Sequence, residues 1–301
     1  MKRYLPVLTL GIAGLTTLAL AGPAADITWT GGRGDWGVAT NWSGGLEPTS
    51  GDNVSISDED TVEVTLAGEV CNDLTLADGV IFIWPGGALT VERLGRIGLG
   101  GIGNLGQIAG SVTMDEMEIA TGGYALSGGS LEVGTAVVGT AIIGGSLTQT
   151  EGMITVSQAL EINVSSMVTI SGGTCRVGDT GTGGVTSNGR FASIGGFGNI
   201  QVEAYTCGSG SILAPTVTAF GLSPIIVSAE ATLDGTLQVT DLGAANGTYT
   251  VLTAQSIQGT FDTVQLPSPE WSWGMDATSV WVTKGTVPVE PMTWGRLKNR
   301  Y

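Results

Sequence analysis

The residues that could do acid–base or metal chemistry in this chain are nearly all carboxylates. The 301 residues include 27 Asp and Glu, 11 Lys and Arg, three Cys and no His. Without histidine there is no Ser-His-Asp or Cys-His activation of a nucleophile, and no histidine metal site. Carboxylate chemistry remains. A glycoside hydrolase needs two carboxyl groups roughly 5–9.5 Å apart across a sugar. Glu132 set against Glu151 or Glu161 is the pair that neighbouring strands could supply. A lyase needs a base, for which Arg93 or Arg96 beside an acid-bound Ca²⁺ is the candidate. The runs Asp58-Glu59-Asp60 and Asp115-Glu116-x-Glu118 are the oxygen-rich stretches such a cation would choose. Each also reads as a solvated turn or surface charge. No catalytic, cofactor-binding or metal residue is therefore assigned, and the expectation is a protein that is not an enzyme.

Three further motifs carry little chemistry. Gly98-Leu-Gly100-Gly-Ile-Gly103 satisfies GxGxxG, but the fingerprint needs a following helix to receive a pyrophosphate. More glycines follow instead, and they oppose a helix. Arg33-Gly34-Asp35 spells an adhesion tripeptide inside an aromatic segment. Cys71, Cys175 and Cys207 are an odd set with no CxxC, so at least one thiol stays unpaired. Cys175 stands at an inward repeat position as a small core residue; a Cys175–Cys207 bridge is the alternative.

The elements that must position these residues are repeats. Tyr124-Ala-Leu-Ser-Gly-Gly-Ser-Leu-Glu-Val-Gly134 recurs as Val168-Thr-Ile-Ser-Gly-Gly-Thr-Cys-Arg-Val-Gly178, with a degenerate copy at Glu151-Gly-Met-Ile-Thr-Val156. Each is a turn of small residues followed by an alternation with Leu131 in, Glu132 out and Val133 in, the period of a half-buried strand. Aligning the first apolar residue after each turn gives Leu89, Val112, Leu131, Ile154, Cys175, Ile200, Ile212 or Leu213, and Leu237. The steps are about 22 residues, the spacing of a solenoid coil. Short strands also read at Val54/Ile56, Val62/Val64/Leu66, Leu74/Leu76 and Val80/Phe82. Residues 179–211 read as one or two loop-bearing coils. From Val54 to Val239 the period predicts eight or nine coils.

The run Leu126-Ser-Gly-Gly-Ser-Leu-Glu-Val-Gly134, with Leu147-Thr-Gln-Thr-Glu-Gly152 and Val156-Ser-x-x-Leu160, resembles the passenger repeats of autotransporter-like bacterial surface proteins. Similar repeats occur in secreted proteins that carry C-terminal sorting signals. The resemblance covers most of residues 54–265 and implies an all-β, right-handed parallel β-helix. The arrangement Trp29…Trp36…Asn41-Trp42…Pro48…Asp52-x-Val54-x-Ile56 resembles the start of secreted β-helix proteins. It implies an N-terminal aromatic cap; the alternative is an aromatic platform for sugars. Residues 246–283, with Trp271, Trp273 and Trp281, resemble the closing strands of such domains. All eight Trp lie outside 85–270, which suits a narrow stack plugged at its ends.

Compartment and boundaries follow. Lys2 and Arg3, the apolar run Leu5–Leu20 and Ala19-Leu-Ala21 read as a secretory signal. No later segment could span a membrane, and no autotransporter barrel follows. The net charge is −16 and grows more negative once Lys2 and Arg3 leave. Such a surface disfavours nucleic acid and anionic lipid and leaves a cation such as Ca²⁺ as the natural small partner. The expected organisation is a signal at 1–21, a cap at 22–56, a β-helix with closing strands at 57–285, and a linker with a basic tail at 286–301. In that tail Trp294, Arg296, Lys298 and Arg300 would meet export machinery or an anionic surface. The chain is expected to be an exported structural or adhesive scaffold meeting surface glycans or matrix. A carbohydrate-binding module is the alternative, and a polysaccharide lyase or hydrolase the more distant one.

Overall fold

The computed structural model describes residues 25–138, 145–178 and 183–285. The signal and tail expected at 1–21 and 286–301 lie outside them. The fold is all-β, 60% strand and 2% helix, a β-solenoid of about ten turns. One coil shows the plan. Ser146–Gln149, Met153–Val156 and Ala159–Ile162 form three short strands in succession. Each pairs in parallel with its counterpart in the next coil: Leu147 with Val168, Ile154 with Cys175, Leu160 with Val185. The three stacks are called faces 1, 2 and 3. Face 1 runs from Arg33–Asp35 to Thr263–Gln265. Between Val54 and Val239 it contains nine strands, in line with the count from the period.

The alternation explains the stack. Leu131 and Val133 are buried and Glu132 is exposed, as the pattern requires. No single strand of four residues is stable in water, but each buried Leu, Ile or Val rung contributes about 1.5–3 kcal/mol relative to exposure. The glycine pairs make the corner between faces 1 and 2. Gly129, Gly152 and Gly173 lie at φ of 82°, 74° and 73°. A Cβ at Gly129 would run into the carbonyl oxygen of Gly110 below, and one at Gly152 into that of Gly129. Glycine is thus required twice, by backbone angle and by the closeness of stacked corners. Two buried glutamines secure the same corner from inside. Gln107 Nε2 donates to the carbonyls of Gly110 and Ser130 at 3.1 and 2.8 Å, and Gln149 Nε2 to those of Gly152 and Thr174 at 3.0 and 2.9 Å.

The register departs from expectation after Ile200. Leu89, Val112, Leu131, Ile154, Cys175 and Ile200 form one unbroken ladder on face 2. The next rungs are Ile225 and Leu252. Leu213 and Leu237 instead belong to face 1, stacked on Phe191, and Ile212 points outward there. All three strands of a coil follow a turn with an apolar residue, so the alignment slipped by one strand. Ile81 and Ile83 fill the core in place of Val80 and Phe82, which face out, and Leu66 is an exposed corner residue. The stretch read as loop-bearing is regular where described: Gly184–Ser187, Arg190–Ile194, Gly198–Val202 and Tyr205–Cys207 are all laddered strands. All three cysteines are free and buried. Cys175 sits on face 2 and Cys207 on face 3 of the following coil, so the alternative bridge is not formed.

The two ends are closed differently. Trp29, Trp36 and Trp42 are buried over the first coil, with Trp42 edge-on to both others at 4.8 Å. Buried rings cannot form a sugar platform, so these residues are the cap. At the other end Gly247–Thr253 and Trp271–Met275 both pair antiparallel with Ser279–Lys284.

Candidate functional site

The carboxylates considered for catalysis are kept apart. Glu132 lies on the outside of face 2, with Thr113 and Thr155 as its neighbours along the rod. Glu161 lies on face 3, next to Thr186. Glu151 is an exposed corner residue between faces 1 and 2. A pair astride one sugar is thus not assembled from these three. Arg93 forms an ion pair with Asp73, and Arg96 lies 3.4 Å from Glu118. Both guanidinium groups already have carboxylate partners.

The remaining motifs are built into turns and strands of the coils. Ser57–Asp60 is a tight turn in which Asp58 and Glu59 adopt φ of 63° and 60°. Asp60 is shifted upward by burial and by the charge of Asp58. Asp115 and Glu116 mark the register shift where Ser111–Ile119 bends from face 2 to face 3. Among the described residues no group of three or more His, Cys, Asp or Glu is arranged to hold a metal ion. Gly98–Gly101 is a turn leading into the strand Gly103–Gln107, with no helix behind it. Arg33-Gly-Asp35 is a strand. Arg33 bonds Glu63 at 2.7 Å, and Asp35 accepts from Thr65 Oγ1 at 2.5 Å and the Gly37 amide at 3.0 Å. Burial pushes the Cys175 thiol up to about 12 and raises Cys71 and Cys207, so all three are poor nucleophiles at neutral pH.

Two features were not singled out in the sequence. The first is Glu69, which takes an inward rung of face 2 beneath Leu89 and is 4% exposed. Its Oε1 rests against Gly37, and its Oε2 has no hydrogen-bond partner among the described residues. Burial, then contact with the Glu47 carboxyl, then the charge of Asp35 push its pKa up to about 8. Beneath the aromatic cap the Glu69 carboxyl, in contact with Glu47, thus keeps its proton well above the ordinary carboxylate range. Aligning Glu69-x-Cys71 with Leu89-x-Val91, 20 residues on, is the signal that would have found it.

The second is a trough along the outside of face 1. Two depressions of about 320 and 410 Å³ meet at Ser146. The first crosses the strands from Val80 to Thr148, and the second continues along the corner to Ile212. In the first depression the floor is low because one outward row is small: Gly106, Ala125, Thr148. Phe82 stands at one end, 6.2 Å from Trp84. Towards the other end Arg190 Nη1 reaches two coils to Gln238 Oε1 at 2.5 Å. No described residue lining either depression is Asp or Glu.

No family model, curated protein or solved structure matches the chain. No helix of the described residues is long and apolar enough to cross a membrane.

Proposed function

We propose that the protein is an exported, non-catalytic scaffold of a cell surface or extracellular matrix, with an adhesive role. The observation that carries this reading is the separation of its outer carboxylates. Glu132 and Glu161 sit on different faces, and Arg93 and Arg96 are each paired to an acid. Catalysis on a sugar needs such groups convergent within one site. The interior supports the same reading: outside the Glu69 rung it is dominated by apolar side chains, with Gln107 and Gln149 bonded to corners, the make-up of a rod rather than of a mobile active site. The basic start and apolar run of Met1–Ala21 support export. Under this reading Arg296, Lys298 and Arg300, beside Trp294, attach the rod to sorting machinery or an anionic surface. Neither Ca²⁺ nor another cofactor is required.

Two measurements test the proposal. Cell fractionation should place the protein outside the cytoplasm, and purified protein should release no product from alginate, pectin or neutral glucans. Product release abolished by Glu132→Gln or Glu161→Gln would replace the scaffold with an enzyme. Retention in the cytoplasm would remove export.

A further inference from the structure

We propose that the face 1 trough is the docking site for an extended, uncharged polysaccharide strand lying along the rod axis. The proposal rests on the adhesive-scaffold reading and names its partner. Shape is the first argument. The trough crosses seven successive face 1 strands, from Gly79–Ile83 to Ile212–Thr218. At ~4.8 Å per strand that is roughly 29 Å, long enough for several hexose units. The site is preformed on a stacked sheet, so little ordering opposes binding.

Surface chemistry is the second argument. The hydroxyl and amide groups of Asn104, Ser146, Thr148 and Asn188 are interspersed with the apolar side chains of Val80, Met167 and Ile212. A pyranose presents the complement: hydroxyls at its edge and C–H bonds on its faces. Ser166 lines the larger depression, and its buried Oγ has no partner among the described residues. The half-buried ring of Phe82 offers a surface for one sugar face at the trough's end.

Charge decides which polysaccharide. The chain carries a net −16, yet the described residues of the trough lining include no acid. A polycation would find no carboxylate there. A polyanion would be repelled by the body of the rod. The one cation among the described lining residues, Arg190, is already bonded to Gln238. An uncharged strand meets neither penalty, and its contacts repeat with the strand spacing. Affinity should therefore grow with chain length.

The test uses the purified full chain in pull-downs on insoluble cellulose and chitin, and in affinity electrophoresis with mixed-linkage β-glucan and with alginate. Wild type should be retained by at least one neutral polymer and not by alginate, with a hexasaccharide competing better than a disaccharide. Ala125→Trp fills the trough and Thr148→Glu puts a charge in it. Both residues face outward, so circular dichroism should be unchanged. Each should weaken retention by about tenfold or more. Thr206→Trp, outward on face 3, should change nothing. Retention insensitive to both trough variants would move the glycan site elsewhere and leave the adhesive scaffold standing. Absence of retention by every neutral polymer would remove the glycan, and preference for alginate would overturn the charge argument. Self-association abolished by Ala125→Trp would make a second copy of the chain the occupant.

Discussion

At the N-terminal end, three indoles pack edge to face over the first coil, and beneath them lies the buried Glu69 carboxyl with its raised pKa. At the C-terminal end, the parallel ladder passes into antiparallel strands, and Lys284 bonds Asp241 Oδ2 at 2.7 Å and the Ala244 carbonyl at 3.0 Å. Both ends face the same hazard, an open strand edge and an apolar cross-section. The first is covered by a dry plug. The second is covered by a hydrogen-bonded partner whose aromatics are partly wet: Trp271 is buried, Trp273 and Trp281 only half-buried. A plug concentrates stability in a few large side chains, whereas strand pairing spreads it along the backbone. The ends should therefore differ in their response both to truncation and to pH.

Truncation gives the largest effect. Trp42 is 2% exposed, touches both other cap indoles, and donates Nε1 to the Trp36 carbonyl at 2.7 Å. Trp42→Ala should destabilise the first coil by about 3–5 kcal/mol, the range for emptying a packed aromatic site. Trp281→Ala should cost clearly less. Denaturant unfolding, with hydrogen exchange in Val54–Ile56 and Val280–Val282 as local readouts, checks both. Equal losses would mean that the two caps share one mechanism.

The sequence made the ends and the period legible but not the phase of every strand. Trp29, Trp36 and Trp42 could be seen because tryptophan is scarce and clustered here. Leu131 and Glu132 were placed correctly because the repeat at 124–134 recurs with the same turn and alternation. Leu213 and Leu237 were put on the wrong face because their strands look like those of face 2; only pairing partners separate them. Glu69 was missed because a charged residue next to Val70 suggests the opposite inside and outside. The trough was hidden for a related reason. Gly106, Ala125 and Thr148 are ordinary small residues until stacking sets them in one row.

Glu69 sharpens the comparison through pH. Its pKa is raised from the ordinary carboxylate range, near 4.5, to about 8. In the unfolded chain it loses its proton first, so the folded state holds more protons between those values. The contribution of Glu69 to the N-terminal end is therefore fully present below about 4.5 and is lost as pH rises to about 8, with a limiting slope of about 1.4 kcal/mol per pH unit for one proton. Glu69→Gln removes that proton exchange. Protection of the first coil from exchange, taken relative to the unstructured-chain rate at each pH, should fall less over that window in the variant than in wild type. An unchanged wild-type slope in Glu69→Gln would assign the effect to another acid.

The smallest effect is expected at Lys284, and its sign is opposite. The Lys284 ammonium holds the Asp241 carboxyl below its usual range, and Asp241 holds the ammonium above its own. The carboxylate's share of stability is present above the unfolded carboxylate value and is lost as pH falls through the lowered one. The ammonium's share is present below the unfolded lysine value and is lost as pH rises through the raised one. The closing strands are thus at full strength across neutral pH, where the N-terminal end is weakening. The pair is partly open to solvent, so its contribution is modest and screened by salt. Lys284→Met keeps an apolar stem near Trp271, over which the ammonium now lies at 5.8 Å, and removes the charge. Exchange in Gly247–Thr253 should then be faster than in wild type at neutral pH. The two proteins should converge once pH falls below the Asp241 value. A difference that persisted into acid would trace the loss to packing on Trp271 rather than to the ion pair.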